Sequence, residues 1–150
     1  MTIEIVPGDP RDPGAVALLK QSHALMEELF PSEDNFYLDI DQLCAPEISF
    51  FMAREGDKVL GTAALYEAGG YGEVKSMFVS TEARSRGVGE ALLAELEDTA
   101  RAKGLSAMKL ETGNALHAAH RLYQRAGFTN CGPFGRYMNA ASSIFMEKAL

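Results

Sequence analysis

The 150 residues suit one compact domain, 1–150, with a single core, and 47% apolar with 23% charged residues is the balance of a soluble globular chain. The formal charge of −7 argues against general nucleic-acid binding, which relies on Lys and Arg against phosphates, and is compatible with a cationic or amine partner. No apolar run approaches the roughly 20 residues of a membrane span, and the first residues lack the basic start and apolar stretch of an export signal.

A cytoplasmic setting is therefore expected. Cys44 and Cys131 are expected to be reduced, buried structural thiols, although a disulfide between them stays open. In chain order, Thr2 to Val6 alternates polar and apolar residues and reads as an edge strand, which Pro7-Gly8-Asp9-Pro10 breaks. From Pro13 to Phe30 the apolar residues follow helical spacing, with Asp12-Pro13 as a start and Pro31 as a stop. A short helical turn is expected from Asp39 to Cys44. Ile48 to Arg54 and Val59 to Tyr66 form a hairpin around the turn Glu55 to Lys58.

After a turn at Ala68 to Gly72, Glu73 to Ser80 reads as a strand. Val88, Leu92, Leu93, Leu96 and Ala100 mark one face of a helix that Gly104 ends. Ala107 to Thr112 is a strand, Ala115 to Ala126 a helix, and Phe128 to Cys131 and Ser143 to Lys148 are strands. This order predicts an α/β (α+β) domain with a mostly antiparallel sheet and one parallel crossover, from Glu73 to Thr112.

The stretch Arg84-Ser85-Arg86-Gly87-Val88-Gly89 carries the most chemistry. It joins a strand to the first turn of a helix, where unpaired N–H groups and the helix dipole favour an anion. Gly87 and Gly89 leave room for a ligand, and Arg84 and Arg86 add positive charge. There is neither a G-K-[ST] nor a G-x-G-x-x-G pattern, so a Walker loop and a dinucleotide fold do not fit. Glycines that merely permit tight packing are the plain alternative.

These residues, following Met77-Phe78-Val79-Ser80-Thr81, resemble the [RQ]-x-x-G-x-[GA] hallmark of the GCN5-related N-acetyltransferase (GNAT) superfamily, with Thr81 where Pro is frequent. Leu122-Tyr123-Gln124-Arg125-Ala126-Gly127-Phe128 is similar to the family's L-Y-x-[KR]-x-G-F segment. The ends of the chain, from Leu110 to Gly113, Cys131 to Tyr137 and Ser143 to Lys148, look like a small bacterial YsnE-like subgroup.

The resemblance implies acetyl-CoA as acyl donor, with its pyrophosphate on Arg84, Ser85, Arg86, Gly87, Val88 and Gly89. The pantetheine arm would lie along Met77, Phe78 and Val79, where two parallel strands splay. Tyr123 matches the family tyrosine that protonates the departing thiolate; a plain core tyrosine is the alternative. An Asn that binds the arm in many members is replaced here by Leu116. Asn114 is left either to contact the cofactor or, the preferred role, to cap the helix.

Two carboxylates are candidates for the general base that a neutral amine requires. Glu73 should share a strand face with Lys75, Met77 and Val79, and Glu111 lies near the end of the next strand. In the subgroup, Phe134, Arg136 and Tyr137 would flank the acceptor, with Arg136 against an acceptor carboxylate. Pro31 to Tyr37 would form the opposite wall. His117 and His120, spaced i, i+3 without a third ligand, are read as surface residues, and no metal is expected.

The implied activity is direct N-acetylation of a small-molecule primary amine. A homodimer, common in the family, is compatible with this. A non-catalytic acyl-CoA sensor is the alternative, and a toxin acylating aminoacyl-tRNA fits poorly with the acidic charge.

Overall fold

A computed structural model describes residues 2–138 and 140–150. Seven strands form one sheet: β1 (Ile3–Pro7), β2 (Ile48–Glu55), β3 (Lys58–Ala68), β4 (Tyr71–Val79), β5 (Ala107–Gly113), β6 (Thr129–Cys131) and β7 (Ser143–Ala149), in the order β1-β2-β3-β4-β5-β7-β6. The β4–β5 pair is parallel and every other pair antiparallel, as the strand–helix–strand crossover requires.

Strand alternation divides the sheet into two apolar faces. Phe50 and Met52 of β2 join Ala64 beneath α1 (Pro13–Leu29) and α2 (Ile40–Leu43). Phe51 and Ala53 join Ala63 and Leu65 beneath α3 (Val88–Ala102), where Leu92, Leu93, Leu96 and Ala100 face the sheet. The fourth helix, α4 (His117–Arg125), closes the same side through Tyr123, and Phe128 follows it into that core.

Local chemistry sets the ends of these elements. Asp12 caps α1 by accepting from Gly14 N–H at 2.9 Å, with Pro13 in the first turn. Asp39 and Gln42 form a reciprocal capping box around α2. Gly69 and Gly70 make the β3–β4 turn at φ +50° and +96°, tight enough for β4 to begin at Tyr71 rather than Glu73. The fourth helix starts two residues later than its apolar pattern suggests. Leu116 stands at its N-cap with no side-chain cap, while Asn114 instead donates to Ala141 O at 3.2 Å. The expected Asn114 cap is therefore absent; its amide ties the end of β5 to the segment before β7.

One irregularity reorders the centre of the sheet. Thr62 faces Phe78 and Ala64 faces Lys75, so Ser76 and Met77 together oppose the single residue Ala63. Ser76 sits at φ +52°, and its carbonyl accepts from the Thr62 hydroxyl at 2.8 Å. This bulge inverts the alternation. Met77 and Val79 turn to the α3 core with Val74, and Glu73 and Lys75 are left together on the other face. The expectation that all four share one face is thus corrected.

Candidate active site

Past the bulge, β4 runs through a short 3₁₀ turn, Thr81–Ala83, into the loop that opens α3. Ser85 and Gly87 both have positive φ, +65° and +78°. Successive N–H groups turned this way make a concave anion seat. Outside the helix, no backbone hydrogen bond among the described residues starts from the N–H of Ser85, Arg86 or Gly87. Residues 84–87 are exposed, and a side chain added at Gly87 would meet nothing within 4 Å. The loop therefore offers unpaired amides at a helix N-terminus, with Arg84 beside them.

Two sequence-based reasons change in detail. Arg86 is paired with Glu55 at 2.5 Å, so much of its charge is already answered. Gly89 is buried, and a Cβ there would lie 2.9 Å from Leu122 Cδ2. Its glycine lets α3 pack against α4 rather than clearing space for a ligand.

The β4–β5 pairing stops at Glu73 and Lys109. Beyond it β4 stays bonded to β3 while β5 stays bonded to β7, so a gap opens through the sheet. A cleft occupies this gap. Met26 lines it from α1 and Phe30 from the C-cap of that helix, Ser76 and Met77 from β4, Glu111 from β5, and Tyr123 from α4. Strand edges facing such a gap carry peptide groups that need partners from elsewhere.

Tyr123 is 6% exposed, and no hydrogen bond joins its hydroxyl to another described residue. Burial, with Glu111 nearby, pushes its pKa far up, so the phenol keeps its proton. Glu111 is also raised, chiefly by burial; an opposing 2.8 Å hydrogen bond from Ser143 Oγ limits the effect. The cleft thus brings a protonated phenol together with a carboxylate of increased basicity.

Glu73 is placed differently. It is 4% exposed and set behind Lys75, which reaches it at 2.9 Å. Tyr137 comes over from the segment before β7, donates to Glu73 Oε2 and accepts from Lys75 Nζ. Lys75 also donates to Phe36 O at 3.3 Å. Burial and the Glu73 charge push the Tyr137 hydroxyl well up.

Phe36 meets Tyr137 edge-on at 5.3 Å, which joins the Pro31 to Tyr37 wall to the segment on the far side. Phe134 lies edge-on to Tyr71, Tyr137 and Phe145 and braces that segment from beneath. None of Phe134, Arg136 and Tyr137 is among the residues lining the cleft: Tyr137 reaches its wall only through Lys75 and Phe36, and Arg136 is exposed.

Asp34, Asn35, Phe36 and Tyr37 of the expected Pro31 to Tyr37 wall line the cleft, although the sequence marked none of them individually. Lys75 also lines it without having been singled out, although it was within reach, since Glu73 and Lys75 share a face two residues apart in a strand. His120 half-buries its Nε2 on Gly113 O at 2.8 Å, while His117 is exposed. The cysteines are unpaired as expected, but neither is buried. Cys44 is exposed beside Arg11, Cys131 is half-buried, and both are free thiols.

Comparison with known proteins agrees with this geometry. The sequence profile of the Acetyltransferase (GNAT) family matches residues 17–128. An IAA acetyltransferase of Azospirillum brasilense is 41% identical over 99% of this chain and 98% of its own. The uncharacterized N-acetyltransferase YsnE of Bacillus subtilis is 35% identical over 90% of this chain and 91% of its own. Among solved structures, an acyl-CoA N-acyltransferase from Klebsiella pneumoniae superposes with a TM-score of 0.87 at 31% identity, over 99% and 98% of the two chains. With its profile match, its splayed strand pair and its free-amide loop, the chain belongs to the GNAT family of acetyltransferases.

Proposed function

We propose that this acetyltransferase moves an acetyl group directly from acetyl-CoA to a primary amine of a small molecule. The observation that carries the reading is the cleft at the β4–β5 gap, where Glu111 and Tyr123 line one space beside unpaired strand edges. The donor fits residues that are present. The free amides of residues 85–87 and the first turn of α3 suit a pyrophosphate. The Met77 to Val79 backbone on the gap side suits the amides of a pantetheine arm. Acetyl-CoA supplies, when bound, an acyl thioester open to attack by nitrogen.

The residues then divide the proton work. Glu111 removes the proton that the amine must lose, and burial has raised its basicity for that task. Tyr123 gives a proton to the departing sulfur; the phenol is held protonated by burial and donates to no other described residue. Glu73 is committed to Lys75 and Tyr137, so it holds the acceptor-side wall in place rather than acting as base.

Calorimetry with acetyl-CoA, followed by thiol release across a panel of amines, tests the reading. Failure to bind any acyl-CoA defeats it. Binding with no turnover for any amine supports an acyl-CoA-binding module instead.

A further inference from the structure

We propose that the acceptor is a cationic amine with a second positive centre, held at Asp34, and without a carboxylate. This rests on the acetyl-transfer reading above and specifies its substrate class.

Among the described residues, the carboxylate and ammonium side chains that line the cleft are Asp34, Lys75 and Glu111. Lys75 is the cation among them, and it is not free. Its three N–H donors are matched by Glu73, Tyr137 and Phe36 O, and its side chain is only 12% exposed. Glu73 cancels its charge from behind. Arg136, the other candidate for an acceptor carboxylate, lies outside the lining. An anionic acceptor would therefore meet no unengaged cation among the described lining residues.

The two carboxylates are built as a pair. Ser142 Oγ donates to Asp34 Oδ2 and Ser143 Oγ to Glu111 Oε2, both at 2.8 Å. Both acids line the one cleft, each held by one of two successive serines, and Asp34 is near enough for its charge to act on Glu111. Each serine occupies one oxygen and leaves the other able to accept. Phe30, Phe36 and Tyr37 line the same space, and aromatic faces attract ammonium groups. Glu111 is used on the reacting nitrogen. Asp34 then remains as an anion facing an aromatic-walled space, and a second ammonium is the group that answers it. A carboxylate on the acceptor would be repelled by both acids.

The test compares thiol release from acetyl-CoA with α,ω-diamines of three to six carbons, the monoamines of equal length, and the matching ω-amino acids. The best diamine is expected to exceed its monoamine at least tenfold in kcat/KM, with the ω-amino acid poorest. Asp34→Asn, checked for an unchanged melting temperature, should narrow that ratio by raising KM for the diamine rather than lowering kcat. Calorimetry of the diamines with the CoA-bound protein, which cannot turn over, should show binding that weakens with salt and is reduced by Asp34→Asn.

An ω-amino acid as good as or better than its monoamine overturns the proposal. So does CoA-bound protein that binds no diamine. Loss of acetyl-CoA binding itself, or diamine binding without any thiol release, counts instead against the acetyl-transfer reading.

Discussion

Replacing Gly113 with Ala should destabilise the protein by forcing the Phe30 ring from its seat. A Cβ at this position would lie 2.1 Å from Phe30 Cζ, 2.6 Å from Cε2 and 3.0 Å from Cε1. Carbon atoms rest about 3.5–4.0 Å apart, so the ring has to shift by more than an ångström. It has little room to do so. Phe30 is 8% exposed and caps α1 through its N–H to Met26 O, and Pro31 follows. Displacing the ring therefore pulls on the end of α1 and on the cleft wall. Overpacking of this kind costs about 1–3 kcal/mol. For a chain of this size each kcal/mol lowers Tm by roughly 2–4 °C, which sets an expected fall of about 2–12 °C in a thermal melt. A double-mutant cycle assigns the cause. Phe30→Leu removes the clashing ring atoms, so Gly113→Ala should cost clearly less in the Phe30→Leu background than in the wild type. A Gly113→Ala protein melting within about 1 °C of wild type, or strictly additive changes in the cycle, would refute the reasoning.

Three further outcomes follow from the site. Glu111→Gln should lower kcat by about 10²–10⁴-fold. In the wild type kcat/KM should fall with decreasing pH through a limb above the ordinary carboxylate range, because burial raises Glu111 and the ionised form is the active one. That limb should vanish in the variant. The same raised pKa favours the protonated carboxyl in the folded state. Its stabilisation is full below the unfolded pKa and is lost as pH rises through the folded one, so Glu111→Gln should raise Tm in neutral buffer relative to Tm in acidic buffer, compared with the wild type.

Tyr123→Phe should leave Tm nearly unchanged, since the hydroxyl bonds no described residue, yet reduce kcat by about 10²-fold or more in a thiol-release assay. Unchanged turnover would remove Tyr123 as the acid. Gly87→Ala adds strain at φ +78° without a clash, costing about 1–2 kcal/mol, and weaker acetyl-CoA binding by calorimetry should accompany the lower Tm.

Much of this protein is legible without coordinates because its elements are encoded locally. Helical periodicity in Leu92, Leu93 and Leu96, the strand runs of β2 and β3, and stops at Pro31 and Gly104 all act within one element. The Arg84 to Gly89 loop is likewise a strand end meeting a helix start, and its amides belong to contiguous backbone. Adjacent residues decide such features, so a one-dimensional pattern can report them.

The acceptor side of the cleft is of another kind. Tyr137 and Glu73 stand 64 positions apart, and Ser142 and Asp34 stand 108 apart. Only the placement of β7 between β5 and β6 brings these pairs together. The bulge at Ser76 depends on how β3 pairs with β4, so alternation along β4 alone misassigned Met77 and Val79. Gly89 tells the same story on a small scale: its pattern suggested a ligand, and its neighbour Leu122 shows a packing demand. The proposed donor seat is legible in the chain because it is one continuous stretch of backbone. The charge and shape of the proposed acceptor end emerge only on folding, because they depend on which distant side chains pair and which stay unpaired.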